Sequence, residues 1–303
     1  MDLRQLEIIR AIADTGSFTA AGEKLHVSQS AISRQILLLE DELGEPVFHR
    51  IGRRIRITPA GESLLQLSHR VFQDLQETVS TISEKRDSLS GTIRLVGGMT
   101  VCLYVFPTLL AEVRRVHPHL DLKVTVGSAE RSIAMLRSGA GDLGMITLPI
   151  EATDLVSVPA LEEELLLITY PAHPLAKKRS IQPADLDKQE FVLFETGSIT
   201  RRLVESFFAR EGVEPQIIME TENVEIIKAM VRSGLGISII PSQAAAADVR
   251  TGQLFHSRIA GHLLKRQTGW LYPKMSRLPR TVSEVIRIFE TVRPRLEAAM
   301  RTR

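Results

Sequence analysis

Helix stops and starts crowd the first 58 residues so closely that this stretch can hold only short helices. Leu3, Leu6, Ile9 and Ile12 recur at helical spacing, and the pattern ends at Asp14-Thr15-Gly16, where glycine suits the left-handed residue that closes a helix. Ser17 and Thr19 can cap a second helix, Thr19 to Leu25, in which Ala20, Ala21 and Gly22 let neighbouring backbones approach. It ends at His26-Val27. Ser28 then offers another cap, and Ile32, Ile36, Leu39 and Leu43 follow one face until Gly44 stops the run.

Two short helices joined by a tight turn, the second opening on small polar residues, form a DNA-reading motif. Ser28, Gln29, Ser30, Ser33 and Arg34 lie off the apolar stripe, with side chains able to meet base edges or phosphates in a major groove. A polar helix face can also be merely solvated, so the next segment matters. Glu45 to Ile57 alternates apolar and polar residues about a glycine turn, as a hairpin would, and carries Arg50, Arg53, Arg54 and Arg56 with no acidic residue between them. This reads as a wing beside the helix-turn-helix. Residues 1 to 58 nonetheless hold eight basic and eight acidic side chains, so only the local arginine cluster favours phosphates.

Thr58-Pro59 is a cap followed by proline at the first helical position. A helix of about thirty residues should follow, with Leu64, Leu67, Val71, Leu75, Val79 and Ile82 forming a narrow seam near coiled-coil period, up to a hinge at Ser88-Leu89-Ser90-Gly91. The seam needs a partner: the chain's own later domain or, the favoured reading, a second copy. Pairing would set two reading heads a fixed distance apart on an inverted-repeat site in double-stranded DNA.

From Thr92 short apolar runs alternate with amphipathic segments, which predicts an α/β arrangement with mostly parallel sheets. Thr92 to Val96, Leu120 to Val126, Leu143 to Leu148, Phe191 to Phe194, Gln216 to Met219 and Ile237 to Ile240 read as strands. Ligands of open α/β sheets gather at the carboxyl ends of strands, where helix N-termini present free N–H groups. Thr100, Ser128, Thr196, Ser198 and Thr200, with Arg201, stand at three such junctions and together would complement a carboxylate or phosphate, although each hydroxyl singly could be a plain cap.

The segments Gly16 to Ala21, Ser28-Gln29, Ser33-Arg34-Gln35, Leu39-Glu40, Leu43-Gly44, Phe48-His49-Arg50 and Thr58-Pro59-Ala60-Gly61 resemble the start of LysR-type transcriptional regulators. Ser30 stands where that family often has proline. Residues 92 to 303 resemble its effector-binding domain, itself similar to periplasmic binding proteins, through Phe106 to Leu110, His117-Pro118, Gly139 to Gly144, His173-Pro174-Leu175 and Val231 to Pro241. The resemblance implies an N-terminal all-α winged helix-turn-helix domain (1–58), a linker and dimerisation helix with hinge (59–91), and an α/β two-lobed effector domain (92–303). Lobe one would take about 92–161 and 269–303, and lobe two about 162–268. It also implies an effector between the lobes, with Thr100, Ser128 and Leu148 facing Thr196, Ser198, Thr200 and Asn223, a dimer or dimer of dimers, and a contact with RNA polymerase. Phe191 to Arg202 resembles the subgroup that includes regulators of carbon dioxide fixation and of sulfur or nitrogen assimilation, pointing to an anionic metabolite, with Ile199 where that subgroup commonly has glycine.

Other classes are disfavoured by what the sequence holds. The net charge of +2 implies no general affinity for nucleic acid. The opening MDLRQLEII suggests neither signal peptide nor membrane span, hence a cytoplasmic protein. A lone Cys102 forms no internal disulfide and reads as a small buried thiol, and the eight histidines show no metal spacing. Gly139 to Gly144 fits G-x-G-x-x-G but follows a helix and precedes a strand, the reverse of a dinucleotide site. A stand-alone binding protein or enzyme on the same fold is the alternative, for which no catalytic constellation or cofactor motif is visible.

Overall fold

The structure is a computed structural model that describes residues 1–51, 54–82, 89–178 and 180–300. The chain divides into two units, Met1–Asp87 with Ala134–Gly141, and Ser88–Ile133 with Asp142–Arg303.

In the first unit α1 (Leu3–Thr15), α2 (Phe18–Leu25) and α3 (Gln29–Leu43) pack around Leu6, Ile9, Ile12, Ala21, Ile32, Ile36 and Leu39. The caps are those the sequence offers: Ser17 accepts from the Ala20 N–H, Ser28 from the Ala31 N–H, and Gly16 and Gly44 close their helices at positive φ. Asp2 and Gln5 add a reciprocal capping box to α1. Leu3 and Leu43 depart from the expected stripes and are exposed, because the core ends a turn short of each. Strands β1 (Phe48–Ile51) and β2 (Arg54–Ile57) form the wing, with His49 opposite Arg56. Glu40 ties the wing to α3 by accepting from the N–H groups of Val47 (2.7 Å) and Phe48 (3.2 Å).

Helix α4 (Pro59–Ile82) begins where Thr58 accepts from the Gly61 N–H. Its seam is split rather than continuous. Leu64, Leu67 and Val71 pack on the helix-turn-helix core, and the Ser68 hydroxyl donates to the Leu6 carbonyl, whereas Leu75 and Val79 are exposed. The Ile82 side chain and hinge residue Ser88 lie outside the described residues.

The second unit runs β3 (Gly91–Gly97), α5 (Met99–Tyr104), α6 (Phe106–Val116), β4 (Leu120–Val126), α7 (Ala129–Ser138), β5 (Leu143–Leu148) and β6 (Leu155–Thr169). It continues with β7 (Glu190–Leu193), α8 (Ile199–Glu211), β8 (Gln216–Glu220), α9 (Val224–Arg232), β9 (Ser238–Pro241), α10 (Ser242–Arg250), β10 (Phe255–Ser257), β11 (Lys265–Pro273) and α11 (Arg280–Met300). The main sheet has the order β10-β6-β11-β5-β3-β4, with β9 also on β6, while β7 pairs with β8. Strands β3, β4 and β5 are parallel, as are β7 and β8. The expectation of a mostly parallel sheet is corrected by β6 and β11, which run antiparallel to each other, as do β5, β9 and β10 to their partners among them.

Those two strands connect separate cores. Ala160, Leu161 and Trp270 belong to a core with Ile93, Phe106 and Phe289, while Leu165 and Leu167 enter another with Phe191, Phe207 and Ile237. Two lobes therefore share a double-stranded bridge, and the β6–β11 register shifts within it between Thr268 and Gly269. Gly269 is needed there, because a Cβ would lie 2.7 Å from the Val158 carbonyl oxygen.

Candidate functional site

The first candidate surface is the exposed start of α3. Ser28, Gln29, Ser30 and Arg34 are exposed, and Ser33 is half-buried. Gln29 donates from Nε2 to the Ser33 hydroxyl at 2.7 Å, and the Ser28 and Ser30 hydroxyls are 2.9 Å apart. Small hydroxyls and an amide thus share one short stretch with a cation one turn on. The turn is fixed from below by Gly22, where a Cβ would stand 2.7 Å from the Val27 carbonyl oxygen. Of the wing arginines, Arg53 falls outside the described residues, and only the strand backbone is described at Arg50 and Arg54.

The second is a cleft of about 980 Å³ between the lobes. At its floor lies Arg266, 3% exposed, paired with Glu163, 4% exposed. Nε donates to Glu163 at 2.8 Å, Nη1 to the Thr200 hydroxyl at 3.0 Å and Nη2 to the Thr100 hydroxyl at 3.0 Å. One guanidinium therefore joins the bridge to the first turn of α5 in one lobe and of α8 in the other. A threonine oxygen that accepts from Arg266 keeps its own proton to donate, so Thr100 and Thr200, both on the cleft lining, each retain a donor. Ser128 and Ser198 line the same cleft and cap α7 and α8, accepting from the N–H groups of Arg131 (3.3 Å) and Arg201 (3.0 Å). Thr196 also lines it and donates to Glu220.

Three expected residues lie off the lining. Leu148 is buried against Gly269, and Ile146, Thr147 and Pro149 meet the cleft instead. Arg201 is turned into the lobe, donating to Glu205 (2.7 Å), the Phe194 carbonyl (2.7 Å) and Glu220 (3.0 Å), and exposed Arg202 lines the cleft in its place. The Arg201 guanidinium holds the Glu220 carboxyl below its usual range. Asn223 caps α9 by accepting from the Glu225 N–H, leaving Glu222 on the lining.

Arg266 and Glu163 were not singled out in the sequence, although each carries a signal. In Arg266-Gln267-Thr268-Gly269-Trp270 the period-two rule puts Arg266 on the face of Thr268 and Trp270, and Glu163 falls likewise between Leu161 and Leu165. A charge at an inward strand position must be paired. Acidic Glu130, Glu151, Glu195 and Glu222 on the lining offset Arg131, Arg202 and Arg266, so the lining carries no excess of positive charge. Cys102 is half-buried, and burial pushes its thiol up to about 11, which keeps it protonated near neutrality. Among the described residues no group of three or more His, Cys, Asp or Glu could hold a metal ion, and no helix is long and apolar enough to cross a membrane.

A winged helix-turn-helix followed by a two-lobed, clefted α/β unit defines a ligand-responsive DNA-binding regulator. Residues 3–62 match the bacterial regulatory helix-turn-helix of the lysR family and residues 86–293 the LysR substrate binding domain. The chain belongs to the LysR family of DNA-binding transcriptional regulators, with an effector-binding domain and no enzymatic role. It is 32% identical to the RuBisCO operon transcriptional regulator of Allochromatium vinosum over 278 residues, 92% of each chain. It is also 32% identical to the HTH-type transcriptional activator CmpR of Synechocystis sp. over 276 residues, 91% of this chain and 90% of the other. Among solved structures, a full-length OxyR variant from Pseudomonas aeruginosa superimposes with a TM-score of 0.79 at 25% identity, covering 97% of this chain and 94% of that one. CbnR in complex with its target DNA shares the fold, with a TM-score of 0.67 at 24% identity over 98% of this chain and all of the other.

Proposed function

We propose that this regulator is controlled by a small anionic metabolite held between its lobes, and that it acts in the cytoplasm as a homodimer or dimer of dimers on inverted-repeat DNA. The observation that carries the effector reading is the buried Arg266, whose bonds hold Thr100 of one lobe and Thr200 of the other on the cleft lining. The caps Ser128 and Ser198 and the N–H groups of α7 and α8 add donors around it. An oxyanion drawing on both sides at once binds the closed arrangement more tightly, which is what couples occupancy to lobe position. The similarity to the RuBisCO operon regulator of Allochromatium vinosum supports genes of carbon assimilation as the target class.

A thermal-shift screen of inorganic phosphate, sulfate, small carboxylates and sugar phosphates tests the effector reading. A bound anion at 100 times its dissociation constant stabilises by about 2.7 kcal/mol. Thr100→Val and Ser198→Ala should remove most of that shift, and an unchanged response in both variants would place the ligand elsewhere.

On the DNA side, Ser28, Gln29, Ser30, Ser33 and Arg34 are proposed to read the groove, with Arg50, Arg53 and Arg54 on flanking phosphates. The exposed polar start of α3 supports that face. The linker, residues 59–91, is proposed as the dimerisation element because Leu75 and Val79 are left exposed on its seam. Arg34→Ala should weaken footprinting of the regulator's own upstream region by about 1–3 kcal/mol at moderate salt without changing the sedimented mass. Equal protection by Arg34→Ala and the parent chain would refute the assigned face.

A further inference from the structure

Behind the cleft a second set of polar groups crosses between the lobes. Tyr104 ends α5, the helix whose first turn carries Thr100, and four residues' separation puts both on one helix face. Its ring leaves the core of its own lobe and packs on that of the other, around Val224, Ile227 and Ala244. Its hydroxyl donates to the Glu225 carboxylate on α9, and its carbonyl accepts from Gln243 Nε2 of α10 at 2.9 Å. Lys228, one turn along α9 and 5% exposed at its side chain, donates to Glu225 (2.9 Å) and Asp248 (2.8 Å), and its ammonium lies 5.6 Å from the Tyr104 ring centre. Arg232 closes the set on Asp248. Burial works against the Lys228 charge, yet the hydrogen bonds to Asp248 and Glu225 outweigh it and push the ammonium up. Burial, then the bond to Glu225, pushes the Tyr104 hydroxyl up to about 12, so it remains a donor at any physiological pH.

None of these groups lines the cleft, and a set this fully partnered has no vacant position for a ligand. It ties the lobes to each other through Tyr104, apart from the bridge and Arg266. We propose that Tyr104, clamped by Glu225 and Gln243 with Lys228 beneath, is an interlobe latch, and that α5 transmits its state to Thr100 at the cleft. Swinging the lobes apart or together rotates α5 against α9, so the Tyr104–Glu225 bond forms in one arrangement and breaks in the other. A short rigid helix with one end in each site makes the two outcomes interdependent. The inference stands apart from the effector reading, since it concerns the unliganded chain.

Hydrogen–deuterium exchange on the full-length protein, with no anion added, tests it. Tyr104→Phe keeps the ring and removes only the hydroxyl, and Glu225→Ala removes the half-exposed acceptor. Each should speed exchange about tenfold, the worth of one hydrogen bond to a charged group, in cleft segments 98–100 and 196–200 of both lobes. Exchange in α11 should stay at the parent rate. The double variant should be no faster than Glu225→Ala alone, since Tyr104→Phe removes a bond that change has already broken. Faster exchange confined to α9, unchanged exchange throughout, or additive effects in the double variant would each overturn the latch. A failed latch leaves the anion screen untouched, and a failed screen leaves the latch standing.

Discussion

Glu163→Ala is expected to lower the stability of the effector-domain bridge by about 3–5 kcal/mol, because it leaves the nearly buried Arg266 guanidinium without its carboxylate partner. Both side chains are almost fully buried, so solvent cannot screen or replace the lost partner. Trp270, the chain's single tryptophan, lies four residues along the same strand and packs edge-on against Phe289. Its fluorescence during urea unfolding therefore reports on the affected core. Replacing both partners, Glu163→Leu with Arg266→Met, should restore much of the lost stability, since the desolvation of two charges is then avoided. The same double variant should lose the anion-dependent thermal shift, because Thr100 and Thr200 no longer have a cation to orient them. A midpoint for Glu163→Ala within 0.5 kcal/mol of the parent, on the order of an ordinary surface change, would mean that the pair is more hydrated than its burial implies.

The features legible in the sequence are those decided locally. Ser17, Ser28, Gly16 and Gly44 govern backbone atoms within four residues, so helix ends in the first unit follow from the residues beside them. Strand β5 coincides with its apolar run because a buried parallel strand is marked by composition, whereas β4, at the sheet edge, is marked by the alternation of LDLKVTV. The antiparallel bridge was not legible, since β6 finds β11 about a hundred residues later and nothing near Glu162-Glu163-Glu164 announces that partner. Within the cleft, the hydroxyl caps were readable because cap chemistry is local, and Leu148, Arg201 and Asn223 fell away for reasons of orientation. A one-residue step along a strand or a helix start decides whether a side chain faces the ligand or the core. The linker seam shows the same limit: Leu64, Leu67 and Val71 are taken by the chain's own helix-turn-helix, which no periodicity reveals.

Gly22→Val should separate the two halves of the protein. Helix α2 passes so close to the turn that the new Cβ would meet the Val27 carbonyl oxygen at 2.7 Å and the Gln29 nitrogen at 3.4 Å, and both are backbone atoms. A side chain could rotate away from such a clash, but backbone cannot yield without carrying Ser28, the cap of the proposed reading helix, with it. Overpacking of this kind costs about 1–3 kcal/mol. The displacement should appear as a loss of sequence-specific DNA affinity on the order of ten- to a hundredfold, each factor of ten being about 1.4 kcal/mol. Gly16→Ala is the control: it sits at φ +65° with nothing near its Cβ, so it should cost about 1–2 kcal/mol of stability through strain without shifting the reading face. Trp270 lies in the other unit, so its urea midpoint should be the same in the parent and in Gly22→Val. DNA affinity retained in Gly22→Val would show that α3 can reach the duplex without the spacing this glycine permits, and the helix-turn-helix geometry would no longer explain recognition.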